Sequence, residues 1–240
     1  MGESERDILA KGASELGIIL SEAQLDQFDK FTVLLLEWNE KFNLTRITDP
    51  EEIAVKHYLD SLSVFKFVDI PVGSSIIDVG TGAGFPAIPL KIARPDLKIT
   101  MLDSVRKRLT FLEEAVRELN LNGISILHSR AEDASKDKAH RERYDFSVAR
   151  AVSKLNVLAE LCIPFCRVGG RFAAYKGPDV AEEIEEAGKA LRVLGGEIEA
   201  VHHFVLPFSD AHRSLIIVVK TKPTYAGFPR KPGVPEREPL

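Results

Sequence analysis

The residues of this chain best equipped for chemistry stand together at Asp78-Val79-Gly80-Thr81-Gly82-Ala83-Gly84, where an apolar run beginning at Ser75 gives way to a helical pattern near 84–94. Glycines at alternate positions let the backbone turn tightly and let a ligand approach it without meeting a Cβ atom. Position 85 is phenylalanine, so the G-x-G-x-x-G pattern of dinucleotide sites is absent, and no Gly-Lys-Ser/Thr follows that would make a phosphate-cradling loop. Asp103 closes the run KITMLD, 19 residues beyond Gly84. A carboxylate at the end of a second strand is placed to accept the two hydroxyls of a ribose. Gly80, Gly82, Gly84 and Asp103 are therefore expected to hold a ligand with a nucleoside portion. Ser129-Arg130-Ala131-Glu132-Asp133 offers a small residue and an acid that could border its base, and Arg150 ends a further strand pattern.

The elements that must position these residues fall into three segments. Residues 1–70 read as an N-terminal helical subdomain. Leu25, Phe28, Phe31, Leu34, Leu35 and Trp38 recur at helical spacing, and Ser21 with Gln24 forms a capping box. That spacing assigns Trp38 and Phe42 to the core rather than to base stacking, and His57 reads as structural. Residues 71–222 read as an α/β domain. Strands are expected at 75–80, 98–102, 124–128, 145–149, 171–175, 197–206 and 214–220, with helices near 84–94, 106–120, 154–165 and 179–194. The short link between the last two strands makes them antiparallel neighbours, so the fold class is a Rossmann-like, doubly wound sheet whose last strand opposes the rest. Residues 223–240 read as an extended, basic, proline-rich tail with Pro223, Pro229, Pro232, Pro235 and Pro239.

At 45% hydrophobic and 28% charged residues, the 240-residue chain can bury a substantial core, which excludes wholesale disorder. No apolar window of transmembrane length and no secretory signal is present, so a cytoplasmic protein without a membrane partner is expected. Cys162 and Cys166 are too few for a disulfide scaffold, and no metal site is expected. The net charge of −4 speaks against a nucleic-acid partner until it is divided. Residues 1–60 carry 13 acids and 6 bases, whereas the remainder carries 23 acids and 26 bases. The acidity lies in the helical appendage, and the sheet and tail are net positive.

The acid-x-Gly-x-Gly-x-Gly loop resembles the S-adenosylmethionine loop of class I methyltransferases. Methyl transfer is a displacement that demands alignment above all. The fourth strand ends Ser147-Val148-Ala149-Arg150, without the Asn/Asp-Pro-Pro-aromatic string of exocyclic-amine methylases. The cysteines lie in an apolar helical stretch that suits packing better than covalent catalysis. With no evident general base, a nucleophile with a free lone pair, such as a purine ring nitrogen, is favoured, and no catalytic residue is assigned.

Further strings extend the resemblance. They are Glu37-Trp38-Asn39 with Phe42-Asn43-Leu44-Thr45, His57 with Asp60-Ser61-Leu62, and Asp78 through Pro89. Leu102-Asp103-Ser104 with Lys107-Arg108, Arg130-Ala131-Glu132, Arg150-Ala151-Val152, Lys176-Gly177 and Pro229-Arg230-Lys231-Pro232-Gly233 follow in order. Together they are similar to the glucose-inhibited division protein B family, the bacterial 16S rRNA guanine-N7 methyltransferases. The resemblance implies a class I methyltransferase fold with an N-terminal helical cap and S-adenosyl-L-methionine as cofactor. It places cofactor contacts on Gly80, Phe85, Ala131, Glu132 and Arg150, with small departures at Thr81 and Ala87. The implied partner is small-subunit rRNA or the small ribosomal subunit, met by a monomer. Lys176, Arg213, Arg230 and Lys231 are candidate RNA contacts, because phosphate neutralisation supplies much of such affinity. The competing readings are a class I methyltransferase of small molecules and a non-catalytic RNA-binding assembly factor.

Overall fold

A computed structural model describes residues 2–150 and 153–240; Ala151 and Val152 of the Arg150-Ala151-Val152 string lie outside the described residues. The chain opens with helices α1 (Glu3–Glu15) and α2 (Glu22–Phe42). The capping box at the start of α2 is present, with the Gln24 N–H donating to Ser21 and the Ser21 N–H donating to Gln24. Asn43 ends the helix in a left-handed conformation, which its short polar side chain tolerates. Three short helices follow, α3 (Pro50–Ile53), α4 (Asp60–Leu62) and α5 (Val64–Phe67), with a π-helical segment over Ala54–Leu59 between the first two.

The α/β part runs β1 (Ser75–Val79), α6 (Ala87–Ala93), β2 (Lys98–Asp103), α7 (Arg106–Glu118), β3 (Ile124–His128) and α8 (Ala131–Ala134). It continues with β4 (Tyr144–Ala149), α9 (Leu155–Cys162), β5 (Cys166–Lys176), α10 (Ala181–Leu194), β6 (Gly196–Val205) and β7 (His212–Lys220). The sheet order is β3-β2-β1-β4-β5-β7-β6. Strands β1 to β5 are mutually parallel, and β7 lies antiparallel between β5 and β6, as the short hairpin link demands. Helix α6 begins three residues later than the pattern near 84–94 suggests, because Gly82 and Gly84 hold positive φ angles incompatible with a helix.

Alternation along β1 sends Ile76 to one face of the sheet and Ile77 to the other. Ile76 joins a core shared by the N-terminal helices, α6 and α7, with Phe28, Phe31, Tyr58, Phe85 and Phe111 at its centre. The N-terminal helices thus have no separate core. Phe31 packs within 6.2 Å of Tyr58, Phe85 and Phe111, and full burial of such a ring contributes about 1.5–3 kcal/mol. The opposite core, under α9 and α10, contains Ile77, Phe165, Leu191 and both cysteines.

The tail departs from the expected extended form. It folds back across the α9 face and ends in α11 (Val234–Arg237). The Arg141 guanidinium donates to the carbonyls of Thr224 (2.7 Å) and Phe228 (2.8 Å), so an internal cation, rather than solvent, satisfies that stretch of backbone.

Candidate active site

A cleft of about 200 Å³ opens at the carboxyl ends of β1, β2 and β3, bordered by Gly80, Asp103, Ala131 and Glu132. The start of the glycine loop, Val79 and Gly80, lines it. Gly80, Gly82 and Gly84 have φ of +75°, +61° and +89°, which only glycine adopts readily. Apart from its chain neighbours, no atom of the described residues lies within 4 Å of the position a Cβ would take at Gly80, so the backbone there is open to a ligand. Gly84 is glycine for a different reason: a Cβ there would stand 2.6 Å from Ile88.

Asp103 is 97% buried and welds the second strand to the loop. Its Oδ2 accepts from the Gly82 N–H at 3.0 Å and from Arg108 at 3.3 Å, and its Oδ1 accepts from the Val105 N–H. Asp78 lies beneath the loop, fully buried, accepting from the Thr81 hydroxyl (2.7 Å) and the Ala87 N–H (3.2 Å). Burial in apolar surroundings pushes its carboxyl up to about 7, and Oδ1 has no hydrogen-bond partner among the described residues. The open backbone at Gly80, the ribose-type carboxylate of Asp103 and the cleft beside them fit a nucleoside-bearing cofactor.

Phe85 and Arg150 converge on the other side of the loop. The Arg150 guanidinium lies 5.1 Å from the Phe85 ring centroid and donates to Asp60 (2.8 Å), the Lys56 carbonyl (2.9 Å) and His57 Nδ1 (2.8 Å). Arginine has no acceptor, so Nδ1 must be unprotonated and Nε2 carries the hydrogen, donated to Thr45 Oγ1 at 2.9 Å. The imidazole stacks on Phe85 at 4.4 Å. Burial, reinforced by the Arg150 charge, lowers its pKa to about 3. His57 is therefore a neutral ring with both nitrogens engaged, and the π-helical segment delivers it.

Glu132 borders the cleft from α8, buried, with Oε1 accepting from the Gly233 N–H at 2.9 Å. Of the candidate RNA contacts, Lys176 is buried and donates to the Ser153 carbonyl (2.6 Å) and to Glu183. Arg213 meets Asp60 at 3.3 Å and is partly exposed. Arg230 is clamped on the buried carboxylate of Glu160 at 2.7 Å, whereas Lys231 is exposed. The exposed Arg106, Lys107 and Arg108 open α7 beside the cleft, with exposed Arg130 across it. Asp60 and Glu160, whose partners lie far along the chain, and Glu236, which borders the cleft, carried no sequence signal as site residues. Both cysteines are buried, and burial pushes their thiols up, so neither is a ready nucleophile. Among the described residues no cluster of three or more His, Cys, Asp or Glu could hold a metal ion.

A glycine loop joined to an acid at the carboxyl edge of this sheet defines a class I S-adenosylmethionine-dependent methyltransferase. An S-adenosylmethionine-dependent methyltransferase from Aquifex aeolicus shares the fold, with a TM-score of 0.54 over 74% of this chain and 97% of that one at 18% identity. Residues 24–215 match the GidB family, rRNA small subunit methyltransferase G, and the chain belongs to that family. Curated relatives named ribosomal RNA small subunit methyltransferase G agree over nearly their whole length. The protein of Thermoanaerobacter sp. strain X514 is 50% identical, covering 98% of each chain. That of Desulforamulus reducens is 46% identical, covering 97% of each.

Proposed function

We propose that this enzyme transfers a methyl group from S-adenosylmethionine to the N7 of one guanine in small-subunit rRNA, at the mouth of the cleft between the glycine loop and Asp103. The observation that carries this reading is the Gly82 N–H···Asp103 bond, which joins the two parts of a nucleoside-binding site in one place. When bound, the cofactor supplies an electrophilic methyl on a sulfonium. Gly80 and Gly82 present backbone to it, Asp103 accepts its ribose hydroxyls, Ala131 and Glu132 border its base, and Phe85 with Arg150 flanks the loop from the far side. The remaining task is to hold nucleophile, methyl and sulfur in line.

The N7 of guanine offers a lone pair in the ring plane and loses no proton on attack. This suits a site where His57 has both nitrogens engaged and both cysteines are buried in the core. For the RNA, the exposed Arg106, Lys107 and Arg130 at the mouth and Lys231 in the tail supply positive charge, with Arg213 partly available. Lys176 and Arg230 are engaged inside the protein, by the Ser153 carbonyl and by Glu160. The protein is read as a monomer, and no helix among the described residues is long and apolar enough to cross a membrane.

The test is incubation of the protein with labelled cofactor and small subunits, or their naked rRNA, from cells lacking this gene. Label on N7 of a single guanine is expected. Cofactor binding without transfer to either RNA form would sink the reading. Asp103→Ala should weaken cofactor binding about 10- to 100-fold, the worth of charge-assisted hydrogen bonds.

A further inference from the structure

The tail reaches the cofactor cleft from outside the family-matched segment, which ends at residue 215. Its attachment is built in steps. Glu160, 1% exposed on α9, accepts from the Arg230 backbone N–H at 2.7 Å and from its guanidinium through both oxygens, at 2.7 Å from Nη2 to Oε2 and 3.0 Å from Nε to Oε1. Immediately beyond, the Val234 N–H donates to the Lys231 carbonyl at 3.0 Å, and Gly233 adopts φ of +78°. That turn aims the Gly233 N–H at Glu132 Oε1, 2.9 Å away. Helix α11 then rests on α9 and brings Glu236 to the cleft beside Gly80, Asp103 and Ala131. The hydrogen bond to this carboxylate falls on Oε1, and none among the described residues reaches Oε2.

We propose that Arg230 to Arg237 is a working part of the cofactor site: Arg230, clamped on Glu160, seats the Gly233 N–H on Glu132, and so presents the second Glu132 oxygen as an acceptor for the adenosine half of the ligand. Arg230 and Gly233 are positioning residues, since neither needs to touch the cofactor. A carboxylate with one oxygen already bonded is restrained in rotation, so the ligand does not have to order it on binding. The inference rests on the placement of the cofactor in this cleft.

A chain ending at Lys231 tests it, because it keeps the Arg230–Glu160 pair and removes the Gly233 donor, α11 and Glu236. Its affinity for S-adenosylmethionine by calorimetry should fall about tenfold, a usual size for coupling between sites. The KM for the cofactor should rise by the same factor, while the KM for the RNA substrate and the rate at saturating cofactor hold. A change under twofold in cofactor affinity would overturn the proposal. Should that chain fail to fold, the full-length protein decides by linkage: cofactor must slow hydrogen exchange at the Gly233 and Val234 amides by the same factor, and equal exchange with and without it refutes the coupling. If Asp103→Ala leaves cofactor affinity intact, the cleft itself is misplaced and the tail proposal falls with it. If only the shortened chain behaves like the parent, the cleft stands and the tail is excluded.

Discussion

Two arginines tie distant segments into the fold, Arg150 on the cap flank and Arg230 on the tail flank, and they do so in different ways. On the cap flank Arg150 meets Asp60, the Lys56 carbonyl, His57 and the face of Phe85, so its charge is shared among four partners. On the tail flank Arg230 gives its side-chain donors, among the described residues, to Glu160 alone. Both arrangements join segments far apart in the chain. A shared charge tolerates the loss of one partner, whereas a single buried pair leaves a charge stranded when either half is removed. The cap flank should therefore degrade gradually and the tail flank abruptly.

The largest effect expected is at Arg230→Ala. Glu160 is 1% exposed, and stranding it should cost about 3–5 kcal/mol in urea unfolding. A loss below about 1 kcal/mol, the range of a surface pair, would erase the contrast between the flanks. Asp60→Ala should cost less, about 1–3 kcal/mol: it takes the carboxylate from Arg150 and from the partly exposed Arg213, but Arg150 retains the Lys56 carbonyl, His57 and the Phe85 face. If Asp60→Ala proves the more damaging, the sharing argument is wrong.

The cap flank also carries a pH signature that the tail pair need not share. His57 titrates near 3 in the fold and near 6.5 when unfolded. Above the higher value both states hold it neutral. Between the two the unfolded chain binds the extra proton, so stability falls as pH drops from about 6.5 to about 3, at up to about 1.4 kcal/mol per pH unit. His57→Gln, which can still accept from Arg150 and donate to Thr45, should flatten that slope in denaturation measured across this range. Asp78 works in the opposite sense, its carboxyl raised to about 7, so its part of the stability is lost as pH rises through that value. The smallest effect on stability should come from Gly80→Ala, about 1–2 kcal/mol of left-handed strain with no clash. Cofactor affinity should drop more than stability does; a variant that binds normally would move the ligand away from that glycine.

Much of the cleft floor was legible because its determinants are local. Alternating glycines, an acid 19 residues on and buried strand runs are read from periodicity and spacing, and Asp103 does meet Gly82. The Ser21 capping box and the final hairpin are equally short-range. The tail was not legible, since Pro and cationic residues look alike whether they lie in solvent or against α9. Arg230 finds its carboxylate 70 residues back and Gly233 finds Glu132 101 residues back, with no spacing rule to announce either. Lys176 was equally hard to read: a lysine beyond a strand suggests a phosphate contact, and the fold sets it against Ser153 and Glu183.

By itself, then, the sequence determined the order of strands and helices, the glycine loop and the acid that faces it, because backbone geometry and hydrophobic period act over a few residues. Only the tertiary structure decided which charges are available to a substrate and which are consumed inside the protein. A side chain's charge is neutralised by whatever folding brings within hydrogen-bonding reach, and for Arg150, Lys176 and Arg230 those partners come from other elements of the fold.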